Sequence, residues 1–465
     1  MSAKKRMGGG AEETRVMTDG SPLKHIVCFA FPLMLGNICQ QIYTLTDTAV
    51  VGRVLGVAAL AALGACDLLV WMTGSAIQAF TEGFSIRMAA CFGAGERERL
   101  HHTAATAARL SAIAAALLCA LLQIASPAIL HLMHVRAEVY PFALLYLRII
   151  FAGIPFIMLY NFFFAILRAL GNSRAPLRTM LLSASLNILL DLVFVALFNW
   201  GIGGAAAATV IAQAAAALYS FGCVRKLVPE DTSALRYNGD LVGNMLKLSI
   251  PMACQLLISA TGGLVVQTVV NANEVTFIAG YTATYKLYGL LEVAAISYGY
   301  AVTTYTGQNL GAGRLDRIRK GWGISEAVAL ATSLGFAAVI FTLGTPIAGL
   351  FISGTEAEIA ASVAIGVRFL RIMGVGLPML YTVHLSKAVV QGLGYAGLAT
   401  ANSVVELLTR VLTVTVFAKT LGQNCVFYAE PFAWSAGAIV LSCSAVFYLV
   451  RLGKAEREAY NGGSL

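Results

Sequence analysis

Charged residues are scarce in this chain, since Lys, Arg, Asp and Glu make up only 12% of its 465 residues. A soluble protein of this size carries about 25% charged residues. No long polar block separates the apolar stretches, so the sequence leaves no room for a soluble catalytic domain. Nucleophile and metal motifs such as Gly-x-Ser-x-Gly and His-Glu-x-x-His are also lacking. We therefore predict a membrane protein that is not an enzyme.

Paired cysteines are lacking as well. The nine cysteines are scattered singly, with no Cys-x-x-Cys pair. We interpret them as small buried hydrophobic residues. The sequence predicts no metal centre and no organic cofactor.

Long apolar stretches are abundant, and hydrophobic residues make up 58% of the chain. Each stretch reaches the ~20 residues that a helix needs to cross a bilayer. We predict an all-α polytopic membrane protein with twelve transmembrane helices, roughly centred on residues 35, 68, 115, 152, 188, 213, 257, 292, 333, 375, 408 and 442.

The net charge of +9 could indicate nucleic-acid binding, but its distribution indicates membrane topology. Basic residues precede the first predicted helix and follow each even-numbered one except the tenth, whereas the alternate loops hold few. This positive-inside pattern predicts that both termini are cytoplasmic. We expect a multi-pass protein of the plasma (inner) membrane that binds no nucleic acid.

The chain contains an internal repeat. Arg148, Gly153, Pro155 and Gly171 recur as Arg371, Gly376, Pro378 and Gly394, at a constant offset of 223 residues (371 − 148). A duplicated apolar chain is typical of secondary transporters that are built from two halves around a central site. Six helices per half return the chain to its starting side, so we predict parallel repeats. Both arginines are predicted to snorkel near outer helix ends.

The repeat and the polar segments define the predicted domain organisation. We expect a disordered cytoplasmic tail over 1–20, an N-terminal six-helix lobe over 21–228, a cytoplasmic linker over 229–240, a C-terminal six-helix lobe over 241–452 and a cytoplasmic tail over 453–465.

Several motifs together resemble one family, the multidrug and toxic compound extrusion (MATE) transporters, over nearly the full length. The motifs are Pro32 with residues 46–52 (TDTAVVG) and 61–64 (AALG), residues 167–172 (LRALGN), the Asn187-x-x-x-Asp191 spacing, and residues 201–213 (GIGGAAAATVIAQ). Their order, spacing and duplication make the resemblance specific.

The resemblance implies two six-helix lobes in a V-shape and a monomer that exports amphipathic, often cationic compounds in exchange for inward H⁺ or Na⁺. It implies that Asp47, Asn187 and Asp191 hold the coupling ion, with Thr209 nearby. Small-molecule substrates and membrane lipids are then the partners.

The residues themselves support a functional role for these acids. An acidic residue at the centre of a membrane helix costs about 2.5–3.5 kcal/mol on the lenient insertion scale, so it persists where it is paired, hydrated or useful. Asn187 and Asp191 are four apart and share one helix face. Carboxylate, amide and hydroxyl oxygens suit Na⁺, and two acids held close together suit a proton equally well. The alternative is that Asp47 and Asp191 only bond neighbouring helices.

Further polar residues are candidates for a substrate cleft: Tyr43, Asn161, Gln255, Lys286 and Glu292. Tyr43 could stack on a cationic drug, and Glu292 could attract one. The alternative for each is a structural contact within its own lobe, because membrane aromatics and polar groups often pack or pair locally.

Four residues are candidate gates. Asp67 and Lys286 occupy equivalent repeat positions and could form a latch, although each could instead pair within its own lobe. Pro155 and Pro378 interrupt helices and could act as bending points or as static kinks.

The competing function is a lipid or lipid-linked saccharide flippase of the same superfamily. Such flippases often have extra helices and a strongly cationic cavity, whereas the intramembrane charges of this chain are mixed, and acidic in its first half. The sequence therefore favours the exporter.

Overall fold

A computed structural model describes residues 14–227, 239–352 and 355–462. Within these ranges the chain forms helices and no strand. The predicted tail over 1–20 lies outside the described residues as far as residue 13, and the predicted linker over 229–240 does so as far as residue 238.

The first half contains α1 to α7. A π-helix over Leu192–Leu197 continues α6 directly. The α-helices are α1 (Pro22–Leu55), α2 (Val57–Gly93), α3 (Arg97–Leu132), α4 (Tyr140–Ala152), α5 (Ile154–Ala169), α6 (Arg174–Asp191) and α7 (Gly201–Leu227).

The second half contains α8 to α14, with a 3-10 turn over Gly422–Asn424 before the last helix. The α-helices are α8 (Gly239–Asn271), α9 (Val275–Gly311), α10 (Leu315–Gly349), α11 (Glu356–Gly392), α12 (Ala396–Val416), the short α13 (Ala418–Leu421) and α14 (Cys425–Gly462).

All twelve predicted helix centres lie in these helices, which confirms the all-helical fold. Nine described helices are long and apolar enough to cross a membrane, or ten when α4 and α5 count as one bent span. The two long helices outside that set are α9 and α12.

The two copies of the repeated helix differ in continuity. In the first copy the chain bends by 47° between α4 and α5, at Gly153 and next to Pro155. In the second copy Pro378 lies inside the unbroken α11. Arg371 is fifteen residues (371 − 356) inside α11, so the prediction that it lies near a helix end is wrong.

The chain divides into two compact units. The first unit comprises Met1–Val16 and Phe31–Ala253, and the second comprises Met17–Ala30 and Cys254–Leu465. Both α1 and α8 therefore contribute residues to both units, and each changes unit close to an internal proline.

Close backbone approaches shape the first unit. A side chain on Gly153 would collide with Val210 of α7, and one on Gly83 of α2 would collide with Ser249 of α8. Small residues at such positions let membrane helices approach closely. The contact with Ser249 shows how the first part of α8 completes this unit.

The segment before α1 docks on the second unit. Met17 is fully buried, and its N–H donates to Oε1 of Gln308 at 2.9 Å. Its carbonyl accepts from Nδ2 of Asn309 at 3.2 Å and from Nη2 of Arg317 at 3.1 Å. These bonds satisfy both backbone groups of a residue that is removed from solvent.

Candidate functional site

Two acids face each other in the first unit. Asp47 lies on α1 and Asp191 is the last residue of α6, and both are buried. Each of the two carboxyl groups interacts electrostatically with the other. The structure thus brings together the two acids that the sequence singled out.

Four buried oxygens at these acids accept no hydrogen bond from any residue that the structure describes. They are Asp47 Oδ1, Asn187 Oδ1 and both carboxylate oxygens of Asp191. Four unpartnered acceptors at this part of the first unit are unfavourable, because a buried polar group without a partner costs about 1–3 kcal/mol. A proton or a cation is the kind of ligand that would satisfy them.

Thr209, the remaining residue predicted for the ion site, is hydrogen-bonded to Asn187. Asn187 donates from Nδ2 to Oγ1 of Thr209 on α7 at 3.2 Å. This bond leaves the amide oxygen of Asn187 free for a cation. Asp191 is followed at once by the π-helix over Leu192–Leu197, and π-helical turns frequently occur at functional sites. No pattern in the sequence predicted that π-helical turn.

Aromatic and acidic residues surround the acid pair. Tyr43, one turn before Asp47 on α1, interacts electrostatically with both Asp47 and Asp191. Tyr146 of α4 is buried and faces Asp47 and Asp67. Asp67 is exposed and adds a third negative charge near Asp47. The structure therefore places Tyr43 beside the acid pair, and sequence analysis missed Tyr146.

Another acid of the first unit has a cation partner. Glu82 of α2 accepts a hydrogen bond from Nη2 of Arg168 on α5, and both side chains are buried. The Arg168 guanidinium also lies 4.7 Å from the centroid of the Phe164 ring. Glu82 is thus a structural acid, in contrast to Asp47 and Asp191.

The second unit contains a buried ion-pair network. Arg410 of α12 forms two parallel hydrogen bonds to Glu430 of α14, each 2.9 Å long. Its Nη1 also lies 3.7 Å from Oε2 of Glu406. The other carboxylate oxygen of Glu406, Oε1, accepts a 2.7 Å bond from Nδ2 of Asn402. Such two-pronged pairing is the strongest geometry for an arginine and a carboxylate. Sequence analysis missed Arg410 and Glu430.

A histidine pairs with the predicted cleft acid Glu292. Nε2 of His384 on α11 lies 3.4 Å from Oε1 of Glu292 on α9. Lys387, one turn after His384, interacts electrostatically with Glu292 and with Glu406. Glu292 therefore has a local partner in its own unit.

The other predicted cleft residues also have local contacts or lie exposed. Asn161 donates to the carbonyl of Ile157 in its own helix at 2.8 Å. Gln255 accepts a 3.0 Å bond from Gln391. Lys286 is exposed on α9. Asn161 belongs to the first unit, whereas Gln255 and Lys286 belong to the second.

Within the described residues there is no group of three or more His, Cys, Asp or Glu side chains that could hold a metal ion. The acid pair with Asn187 and Thr209 is instead a site of two carboxylates, one amide and one hydroxyl.

The comparisons with known proteins agree with the duplicated architecture. The family model MatE matches the chain twice, over residues 32–193 and 251–416. The probable multidrug resistance protein YpnP of Bacillus subtilis is 28% identical over 411 residues, which cover 88% of this chain and 91% of that protein.

Solved structures share the fold. A crystal structure of MATE in complex with MaL6 gives a TM-score of 0.87 at 24% identity, covering 94% of this chain and 98% of that one. A MOP superfamily transporter from Pyrococcus furiosus, described as having a binding pocket of reverse polarity that suggests a different function, gives a TM-score of 0.88 at 23% identity, covering 97% and 100%. The two matches to the family model, the curated relative and the shared fold show that this chain belongs to the MatE family of multidrug and toxic compound extrusion transporters.

Proposed function

We propose that this protein is a secondary active exporter of amphipathic or cationic organic compounds. Export is driven by inward H⁺ or Na⁺, and the coupling ion binds at Asp47, Asn187 and Asp191, beside Thr209. The two units alternate access to the substrate, as expected for a transporter that is built from two repeats.

One observation carries the proposal: among the described residues, nothing donates to Asp47 Oδ1, Asn187 Oδ1 or the two carboxylate oxygens of Asp191, all of which are buried. A permanent structural role would leave these oxygens paired, as Glu82 is paired with Arg168. A site that is emptied and refilled in every cycle must keep its ligand atoms free of protein partners. The relatives named as multidrug resistance proteins support drug export as the transported process.

The driving force is sufficient for export. A membrane potential of 100 mV supplies about 2.3 kcal/mol for each elementary charge that moves inward. Either ion fits the donor set, since two neighbouring acids can share a proton and oxygens are the ligands that hard cations prefer. We propose a monomer in the plasma membrane with both termini in the cytoplasm, in agreement with the positive-inside pattern.

A flippase for lipids or lipid-linked saccharides is the second candidate. The relative from Pyrococcus furiosus, with its pocket of reverse polarity, makes this function worth testing. In the second unit, however, Lys387, His384 and Arg410 face three acids, Glu292, Glu406 and Glu430. This mixed charge favours the exporter over a flippase with a cationic cavity.

The test is efflux of ethidium from proteoliposomes under an imposed pH gradient or an imposed Na⁺ gradient. We expect one gradient to drive efflux by the wild type, and Asp47→Asn or Asp191→Asn to reduce that efflux at least about tenfold, which corresponds to about 1.4 kcal/mol. Asp316→Asn is the control, because Asp316 is an exposed acid at the start of α10.

If neither gradient drives ethidium efflux by the folded protein, the result would contradict the exporter and favour the flippase. Gradient-driven efflux that survives in both variants would contradict the assignment of the ion site while leaving the exporter intact.

A further inference from the structure

The second unit carries a pocket that the ion site does not use. It has a volume of about 660 Å³ and lies between α10, α11 and α14. All three helices belong to the set that can cross a membrane. Its lining residues are Thr345, Ala360, Val363, Ala364, Val367, Arg368, Arg371, Ile372 and Tyr428.

Two arginines stand on one wall of this pocket. Arg368 and Arg371 are three residues apart on α11, so they share one face of the helix. Both are exposed. Within the described parts of the chain neither guanidinium has a hydrogen-bond or ion-pair partner.

Their depth along the helix makes this unusual. Arg368 is twelve residues (368 − 356) and Arg371 fifteen residues from the start of α11. At 1.5 Å per residue these positions are about 18 and 22 Å from the end of the helix. Charged side chains within membrane helices are costly and normally find a counter-charge. An anion from outside the chain would supply it.

The rest of the lining indicates an amphiphile. Tyr428 and Thr345 add hydroxyl groups, whereas Val363, Val367 and Ile372 are apolar. Arginine binds phosphate through two parallel hydrogen bonds, and a pair of arginines suits one phosphate group. Apolar residues beside the arginines suit acyl chains. We propose that this pocket binds the headgroup of an anionic phospholipid, with Arg368 and Arg371 on its phosphate.

The internal repeat carries only one of these two arginines in its first copy. Arg371 has Arg148 as its counterpart, but the counterpart of Arg368 is Leu145 (368 − 223). Leu145 lies beside Gly203 of α7, in apolar packing. The first unit thus has one arginine where the second has two. Arg148 is exposed like Arg371, and it provides a matched control.

The experiment titrates the detergent-solubilised full-length protein with 1-palmitoyl-2-oleoyl phosphatidylglycerol or with the corresponding phosphatidylcholine. Bound lipid is counted by native mass spectrometry. We expect the wild type to retain phosphatidylglycerol in preference to phosphatidylcholine. The double variant Arg368→Gln, Arg371→Gln should bind it about thirty-fold more weakly, from about 1 kcal/mol for each arginine. Arg148→Gln should bind as the wild type does.

Equal retention of the two lipids, or a double variant that retains phosphatidylglycerol as the wild type does, would overturn the proposal. Competition by inorganic phosphate distinguishes a site for a phospholipid headgroup from a site for free phosphate. Phosphatidylglycerol that is displaced by millimolar phosphate would show a site for small anions and overturn the lipid assignment. If the double variant fails to fold, the single variant Arg371→Gln and the wild-type preference between the lipids decide the question.

Discussion

In the first unit Asp47 and Asp191 lie near each other, and no described residue forms an ion pair with either, whereas in the second unit Glu406 and Glu430 both lie against Arg410. All four acids are buried, so burial alone does not distinguish them. The difference is whether a cationic side chain pairs with their carboxylate oxygens. Acids that are already neutralised within the protein hold helices together, and acids without a partner are available to an exchangeable ion.

The largest effect on stability should come from breaking the second-unit network. Arg410→Met leaves Glu430 buried without its cation and removes one of the two cations that interact with Glu406. Loss of one partner of a buried ion pair costs roughly 3–5 kcal/mol. Thermal unfolding in detergent measures the loss. The double variant Arg410→Met, Glu430→Met should recover much of it, because an apolar pair of similar volume can replace a buried ion pair. If Arg410→Met is as stable as the wild type, the ion-pair network does not stabilise the protein.

The repeated glycines provide a smaller and more local comparison. Gly153→Ala places a methyl group against Val210, and overpacking of this kind costs roughly 1–3 kcal/mol. At the counterpart Gly376 the added carbon would lie 3.0 Å from Cβ of Pro431, which needs only a small shift. We therefore expect Gly153→Ala to lower the unfolding temperature more than Gly376→Ala. The reverse order would contradict the close helix approach in the first unit.

A smaller effect is expected at the unpartnered acids. Asp47→Asn removes a buried charge that has no cation, so the free energy of unfolding should stay within about 1 kcal/mol of the wild-type value or rise. The same variant should lose gradient-driven efflux. Thermal unfolding and ethidium efflux are measured on one preparation. A loss of stability comparable to that of Arg410→Met would show that Asp47 is structural.

A similarly small effect is expected at the histidine pair. The 3.4 Å contact between His384 and Glu292 joins α9 to α11. His384→Gln keeps a hydrogen-bonding side chain, so we expect a loss of about 0.5–1.5 kcal/mol. The shift in unfolding temperature measures it, with Gln391→Leu, which removes the bond to Gln255, as a neutral-pair comparison.

Sequence reasoning was most successful where a pattern repeats along one helix. The apolar stretches and the repeat offset predicted the helices and their duplication, and both are confirmed. The Asn187 and Asp191 spacing predicted a shared face, and Thr209, which the resemblance placed nearby, accepts a hydrogen bond from Asn187. These features depend on helical periodicity, which the sequence contains directly.

Contacts between distant helices could not be predicted in the same way. Arg410 and Glu430 are twenty residues apart on α12 and α14, and His384 pairs with Glu292 across almost a hundred residues. Which of several intramembrane charges meet depends on helix rotation and tilt, which no local pattern specifies. The bend at Gly153 and its absence in α11 show the same limit, because both copies carry the glycine and the proline.

The composition of the first unit has a consequence for the synthesis of the protein. That unit extends to Ala253, past the predicted linker, and Ser249 of α8 packs against Gly83 of α2. A ribosome that has delivered only the first six membrane helices has therefore not yet delivered all of this unit. The first unit is therefore complete only after α8 has been inserted into the bilayer. A gene divided at the linker would encode two fragments that each lack part of their own unit.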